Sequence, residues 1–335
     1  MLDLGSDRGN RHNIQPVSYI TESSTTKNTP PQEDIGGAEV ESRPVTKAPP
    51  TVDAPPVSGE RLYKHVKALA KERYTEAERT QARNYITQEL KASGWVPTLQ
   101  AFKGGVNVVA RRAGTDPEAG TILVASHYDT VKGSPGADDN ATGVATILEI
   151  ARSLGSRLTP RTLQIAFFDQ EEEGLIGSLA FTGDRENLTN LRGAIILDMI
   201  GFACHAPGCQ QYPEGLPLTP PSDRGDFLAV AGDIEHLPLL NSFGSQPGLP
   251  PVVRVPVPLK GLATPDVLRS DHAPFWYRGI GAVIVSDTAN FRSPHYHQPS
   301  DTPETLDGKF FVGAAQIVTN ATAALLENQD NLATQ

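Results

Sequence analysis

Five short stretches hold side chains able to bind a metal and move a proton. They are His127-Tyr128-Asp129, Asp138-Asp139-Asn140, Glu171-Glu172-Glu173, Asp198 and His295-Tyr296-His297. Four of them follow apolar runs of strand type. TILVAS precedes His127, TLQIAFFDQ precedes Glu171, GAIIL precedes Asp198, and GAVIVSD leads toward His295. A carboxylate at the end of a buried strand is costly unless a cation compensates it. Several such ends together create a demand for positive charge that no neighbouring Lys or Arg run meets. Imidazole with carboxylate suits zinc, and the same ligands take manganese or cobalt. Alone, each stretch has a plainer reading: a surface pair for His127 and Asp129, a solvated helix start for 171–173, a turn or N-cap for 138–140. The ordered set, with its members at strand ends, points instead to one metal site.

The surrounding pattern supplies the scaffold. Leu62, Val66 and Leu69 fall at helical spacing, and Thr75 with Glu78 forms a capping-box pair opening a helix that ends near Gly94. GVNVVARR and the runs above read as strands. Val144, Ile147, Leu148, Ala151 and Leu154 make a helical stripe between two of them. Asp301-Thr302-Pro303 reads as the cap and first turn of a last helix carrying Phe311, Ala314, Ile317, Val318 and Ala321. Buried strands alternating with amphipathic helices give an α/β sheet covered on both faces. Ligands of such sheets gather outside the carboxyl ends of the strands, where these polar clusters sit.

The chain has 335 residues and a net charge of -10, which argues against a nucleic-acid or anionic-membrane partner. No unbroken run of about 18 apolar residues marks an integral membrane segment, and the N-terminus lacks the apolar core of a secretory signal. Residues 1–58 are rich in Pro, Ser and Thr with Tyr19 as the single aromatic, and read as a disordered leader or linker. A catalytic domain over 59–328 and a tail over 329–335 follow. Cys204 and Cys209, in FACHAPGC, are either a small disulfide, implying an oxidising compartment, or two loop thiols. The cysteine pair places an extracytoplasmic location ahead of a cytoplasmic one. Asn140, Asn187 and Asn320 match the glycosylation pattern without further support.

The segments SHYDTVKGSPGADDNATGVA, FFDQEEEGLIGS, ILDMIG and HYHQPSDT, in this order, resemble the co-catalytic zinc aminopeptidase family. That family includes secreted bacterial leucyl aminopeptidases and, as divergent relatives, glutaminyl cyclases. The resemblance spans roughly residues 60 to 328. It implies a three-layer α/β sandwich with a mixed central sheet of about eight strands, and two zinc ions per chain. By the same resemblance His127 and Asp198 would bind one zinc, Glu172 and His297 the other, and Asp139 would bridge them. Glu171 would be the general base, Asp129 would accept the other ring N–H of His127, and Tyr296 matches a tyrosine some members use on the oxyanion. The substrates would be peptides with a free N-terminus. His272, in SDHAPF, matches a recurrent family segment near the site but no zinc ligand.

Three other functions compete. A glutaminyl cyclase shares the fold with a single zinc, and FFDQEE resembles its FFDGEE. His127-Tyr128-Asp129, GADDNATG and Tyr296 keep the aminopeptidase form. A related dipeptidase or carboxypeptidase with an inserted dimerisation domain finds no room here, because 203–225 has the length of a loop. That loop is long enough to wall a substrate pocket, with Tyr212 as a candidate specificity residue. A non-catalytic receptor relative would have lost metal ligands, and this chain keeps all five and the base.

Overall fold

The longest apolar runs of the sequence form the middle of one sheet. The computed structural model describes residues 54–213 and 222–333. Its strands are β1 Thr98–Phe102, β2 Gly105–Arg112, β3 Thr121–His127, β4 Thr162–Phe168, β5 Leu191–Leu197, β6 Leu228–Asp233, β7 Val252–Val257 and β8 Ala282–Ser286. They lie in the order β1-β2-β4-β3-β5-β8-β6-β7. β4, β3, β5 and β8 are parallel neighbours, flanked by antiparallel pairing to β2 and β6. The carboxyl ends of those four strands therefore share one edge, and all four predicted strand-end clusters open there.

The central strands are buried on both faces, so successive side chains feed two cores. Ile122 and Val124 of β3, Ile165 and Phe167 of β4, and Ile195 and Leu197 of β5 enter one. Leu123, Ala125, Ala166, Phe168, Ala194 and Ile196 enter the other. Helices α1 Gly59–Leu69, α2 Glu76–Ala92, α3 Gly143–Leu154, α6 Leu237–Leu240 and α8 Gly308–Glu327 cover the first face. Helices α4 Ile176–Gly183, α5 Arg185–Leu188 and α7 Ala273–Tyr277 cover the second. The result is the expected three-layer α/β sandwich with a mixed eight-stranded sheet.

Local signals govern most helix ends. Thr75 and Glu78 form the reciprocal capping box of α2, and Gly94, at φ 79°, takes the left-handed backbone that stops it. The last helix departs from expectation. Pro303–Thr305 is a separate short turn, and α8 begins at Gly308, where Asp307 accepts from the Phe310 N–H at 2.9 Å. Asp301 is not a helix cap, because both its oxygens are committed to the backbone of the 138–139 turn. Among the described residues α8 alone is long and apolar enough to cross a membrane, yet most of it is buried inside the fold. Its Gln, Thr and Asn residues interrupt the apolar run that a sequence scan looks for.

Both ends of the described chain reach further into the fold than the sequence suggests. Residues 1–53 of the expected leader lie outside the described residues, but Ala54 and Val57 pack against the core. The Val57 N–H donates to Gln316 Oε1 at 2.9 Å. In the expected tail Leu332 is buried, and Arg161 Nη2 donates to the Asp330 carbonyl at 2.6 Å. Short polar segments such as these carry too little periodicity to betray their packing.

One buried carboxylate staples α1 to α3. Glu149, with a side chain 0% exposed, accepts two N–H bonds from Arg61 and two from Arg152, all at 2.8–2.9 Å, and one from the Ser58 N–H at 3.1 Å. Burial pushes its carboxyl up, but the Arg152 and Arg61 guanidiniums and the Ser58 N–H outweigh that and hold it down at about 2. A carboxyl depressed in the fold contributes stability that is complete above its unfolded pKa, about 4.3, and is lost as pH falls toward the folded value. Glu149→Gln is therefore expected to cost about 2–3 kcal/mol near neutral pH, less than a fully dry pair because both arginines are partly exposed. Denaturant melts should find the difference shrinking between about pH 4 and pH 2. An equal loss at both ends of that range would contradict the assignment.

Candidate metal centre and catalytic cleft

The cluster is assembled from the four parallel strand ends. His127 is the last residue of β3 and is 1% exposed. Its Nε2 lies 3.3 Å from Asp139 Oδ1 and 3.6 Å from Asp198 Oδ1, just past β5. His297 Nε2 lies 3.3 Å from the other Asp139 oxygen, Oδ2, and 3.0 Å from Glu172 Oε2. The two oxygens of Asp139 thus face two different imidazoles, each with a second carboxylate beside it. Ligand-type atoms of His127, Asp139 and Asp198 lie within 4.8 Å of one another, as do those of Asp139, Glu172 and His297. Glu172 Oε1 is buried without a hydrogen-bond partner. This donor set fits two cations sharing Asp139.

Electrostatics describe the same demand. Burial would lower the His127 imidazolium, but Glu171 and contacts with Asp129, Asp139 and Asp198 push it well above the usual histidine range. His297 is likewise carried against burial, to about 10, by Asp139 and Glu172. Burial and the Asp139 charge raise Glu172 to about 7. Burial, with Asp198, Asp271 and Glu172, holds the Glu171 carboxyl well above its usual value against the pull of His127. A pocket with this excess of carboxylates takes up positive charge.

Several contacts fix the constellation from behind. Asp129 accepts the N–H of Glu171 at 3.1 Å and of Glu172 at 3.2 Å, while its Oδ1 lies 3.5 Å from His127 Nδ1. Asp301 accepts the N–H of Asp138 at 2.8 Å and of Asp139 at 3.0 Å. The Asn140 side chain donates to the Leu197 carbonyl and accepts from Gly143 and Met199, tying the turn of Asp139 to the end of β5. Arg73, from the α1–α2 connection, is buried and donates to the carbonyls of Tyr128, Pro135, Gly136 and Asp139. A Cβ at Gly136 would run into the Asp139 carbonyl and that guanidinium, and the residue takes the left-handed φ of 60°. Gln170 (φ 59°), Met199 (φ 52°) and His297 (φ 59°) also adopt left-handed backbone, next to or at the clustered side chains. Such conformations cost about 1–3 kcal/mol each and persist only where the surroundings enforce them.

The cluster opens into a cavity of about 480 Å³. Ala231, Val267, Leu268, Ile284 and Phe291 give it apolar walls, and Glu171 and Tyr296 line it beside the clustered residues. The Tyr296 ring stacks on His297 at 3.7 Å between centroids, and its hydroxyl accepts from Arg269 Nη2 at 3.0 Å. Residues 210–213 form one wall, so the long loop does line the pocket and Tyr212 is part of it; residues 214–221 lie outside the described residues. Cys204 and Cys209 are paired as a disulfide just before that wall. Gln210 is held there by Arg292 Nε at 2.8 Å and by Thr288.

All eight residues named from the sequence come together here. His272 does not face the cavity: it is buried against Trp276, with Nε2 2.6 Å from the Val267 carbonyl. His295 pairs with Ser300 and meets Phe202 edge-on. No sequence signal marks Arg73, Asp301 or Arg269 as site residues, and Asn140 stands out only as part of the 138–140 stretch. Asp301 lay inside a quoted motif but was spent on a helix cap, and a single arginine in a loop carries no pattern.

Comparison with known proteins adds a lineage. The model of peptidase family M28 matches residues 107–221. The uncharacterized protein YfbL of Escherichia coli strain K12 is 30% identical over 266 residues, covering 73% of this chain and 79% of that protein. The probable lipoprotein aminopeptidase LpqL of Mycobacterium tuberculosis is 29% identical over 63% of this chain, which spans only 43% of that relative's length. Among solved structures, the aminopeptidase from Aneurinibacillus sp. strain AM-1 superposes with TM-score 0.62 at 17% identity, covering 83% of this chain and 96% of that one. Fimbriiglobus ruber glutaminyl cyclase gives 0.57 at 20% identity, over 84% and 99%. At these identities the two structures speak for the fold alone.

Asp129→Ala would leave two amide N–H groups without their acceptor and loosen His127. Groups supporting metal ligands in this way are each worth about 10–100-fold in metal affinity. Zinc competition against a chromophoric chelator should find a loss of that size with the fold retained, and an unchanged affinity would contradict the supporting role.

Proposed function

Because the chain belongs to peptidase family M28, we propose that it is a zinc-dependent aminopeptidase that releases the N-terminal residue of peptides. One observation carries the reading: the two carboxylate oxygens of Asp139 are turned toward two imidazoles, each with its own second carboxylate. His127 and Asp198 would hold one zinc, Glu172 and His297 the other, with Asp139 shared. Bound there, the pair of ions would polarise the scissile carbonyl and make hydroxide accessible near neutral pH.

The chain's own groups do the rest. Glu171 lines the cavity on the strand-end turn next to Glu172, with its backbone pinned by Asp129. Its carboxylate would take the proton of the attacking water and pass it to the departing amine nitrogen, a general-base step worth typically 10²–10⁴-fold. Tyr296, fixed by its stack on His297 and by Arg269, would donate its hydroxyl proton to the oxygen on which negative charge develops. A cavity of about 480 Å³ suits one or two residues of a substrate better than an extended segment. The Cys204–Cys209 disulfide supports an extracytoplasmic location.

The competing reading is a glutaminyl cyclase working with one zinc. It shares the fold, but the second imidazole–carboxylate pair around Asp139 speaks for the hydrolase.

Two outcomes test the proposal. Peptides with a free α-amine should be trimmed from the N-terminus, and their N-acetylated forms should resist. Glu171→Gln should keep its zinc while kcat falls by about 10²–10⁴-fold. Cleavage of the acetylated peptides at equal rate, or wild-type turnover in the variant, would overturn it.

A further inference from the structure

The cavity has apolar walls and, among the described residues lining it, a single Lys or Arg, Arg269. The clustered carboxylates are served by the histidines and the metal-binding arrangement, so this guanidinium is left with other work. Its Nη2 donates to Tyr296 Oη at 3.0 Å and its Nη1 to Asn290 Oδ1 at 2.9 Å. Both acceptors are neutral. Among the described residues the ion-pair partner of Arg269 is Asp266, also in the cavity lining, whose Oδ1 lies 3.8 Å from Nη1, a long pair between two partly exposed side chains. A pair this long and exposed offsets the guanidinium charge only weakly, and the hydrogen bonds of Arg269 go to neutral acceptors in the cavity wall.

We propose that Arg269, oriented by Asn290, binds the free C-terminal carboxylate of the substrate, making dipeptides the preferred substrates of the site. The proposal rests on the aminopeptidase reading, in which the Tyr296 hydroxyl marks the position of the scissile carbonyl oxygen. One residue beyond that carbonyl the peptide advances at most about 3.6 Å. Arg269 Nη2 stands 3.0 Å from the Tyr296 hydroxyl, so a carboxylate ending the chain there falls within its reach. Guanidinium presents N–H donors in a fork that matches a carboxylate, and two of its five donors are used by Tyr296 and Asn290. In a longer peptide the same position holds a neutral amide, which gains far less from the charge.

The test compares leucyl-glycine with leucyl-glycinamide on the zinc-loaded full chain. The acid should be favoured in kcat/KM by about tenfold, the low end for a charge-assisted bond because the Arg269 side chain is 45% exposed. Arg269→Gln should slow both substrates through Tyr296 and bring their ratio close to one, whereas Arg269→Lys should keep part of the preference. A residue that merely positions Tyr296 would slow both substrates and leave the ratio untouched. Equal kcat/KM for acid and amide in the wild type, or an unchanged ratio in Arg269→Gln, would overturn carboxylate recognition while leaving the aminopeptidase reading intact. No release of leucine from either peptide would instead bring down the aminopeptidase reading itself.

Discussion

Asp139 is a buried carboxylate with an imidazole against each of its two oxygens, and most of the surrounding structure is arranged around keeping it there. Asp301 grips its backbone, Arg73 takes the carbonyls of its turn, and Asn140 ties that turn to the end of β5. Left to itself a group of carboxylates this deep would take up protons or push apart. The raised values of Glu172 and Glu171, and the imidazoles drawn toward their charged forms, express that pressure. A pair of divalent cations, as proposed, would relieve it, and the donor set around Asp139 fits such a metal centre.

The sheet makes that concentration of charge possible. Four parallel strands deliver their carboxyl ends to one edge, so residues 127, 171–172, 198 and 287–297 meet although up to 170 positions separate them. Regular strand geometry stops short of the required aim. The left-handed backbone at Gln170, Met199 and His297 turns the chain sharply just where the functional side chains must converge. Both hydrophobic cores, on either face of the sheet, supply the rigidity that holds such conformations.

The central strands are legible because their runs are apolar on both faces, and four of the five polar stretches are legible because they follow such a run, whereas Asp139 lies in a turn ahead of α3. β1, β6 and β7 were not read: β1 and β7 lie at the sheet edges, half exposed, and alternate too weakly to stand out. Asp301 shows how a local signal can mislead, since Asp-Thr-Pro satisfies the sequence rule for a helix start while its carboxylate serves the 138–139 turn 162 and 163 positions away. Arg73 and Arg269 illustrate the opposite case. Their roles depend wholly on what tertiary folding brings to them, and nothing in their neighbours along the chain announces it.

In the proposed peptidase site, two zinc ions act together around Asp139. The most direct measurement is a zinc titration of metal-free protein, with bound metal counted by elemental mass spectrometry and leucine release followed on the same samples. Activity is expected to reach its full value only as the second equivalent per chain is bound. Full activity at one equivalent, or cyclisation of glutaminyl peptides in place of leucine release, would contradict it.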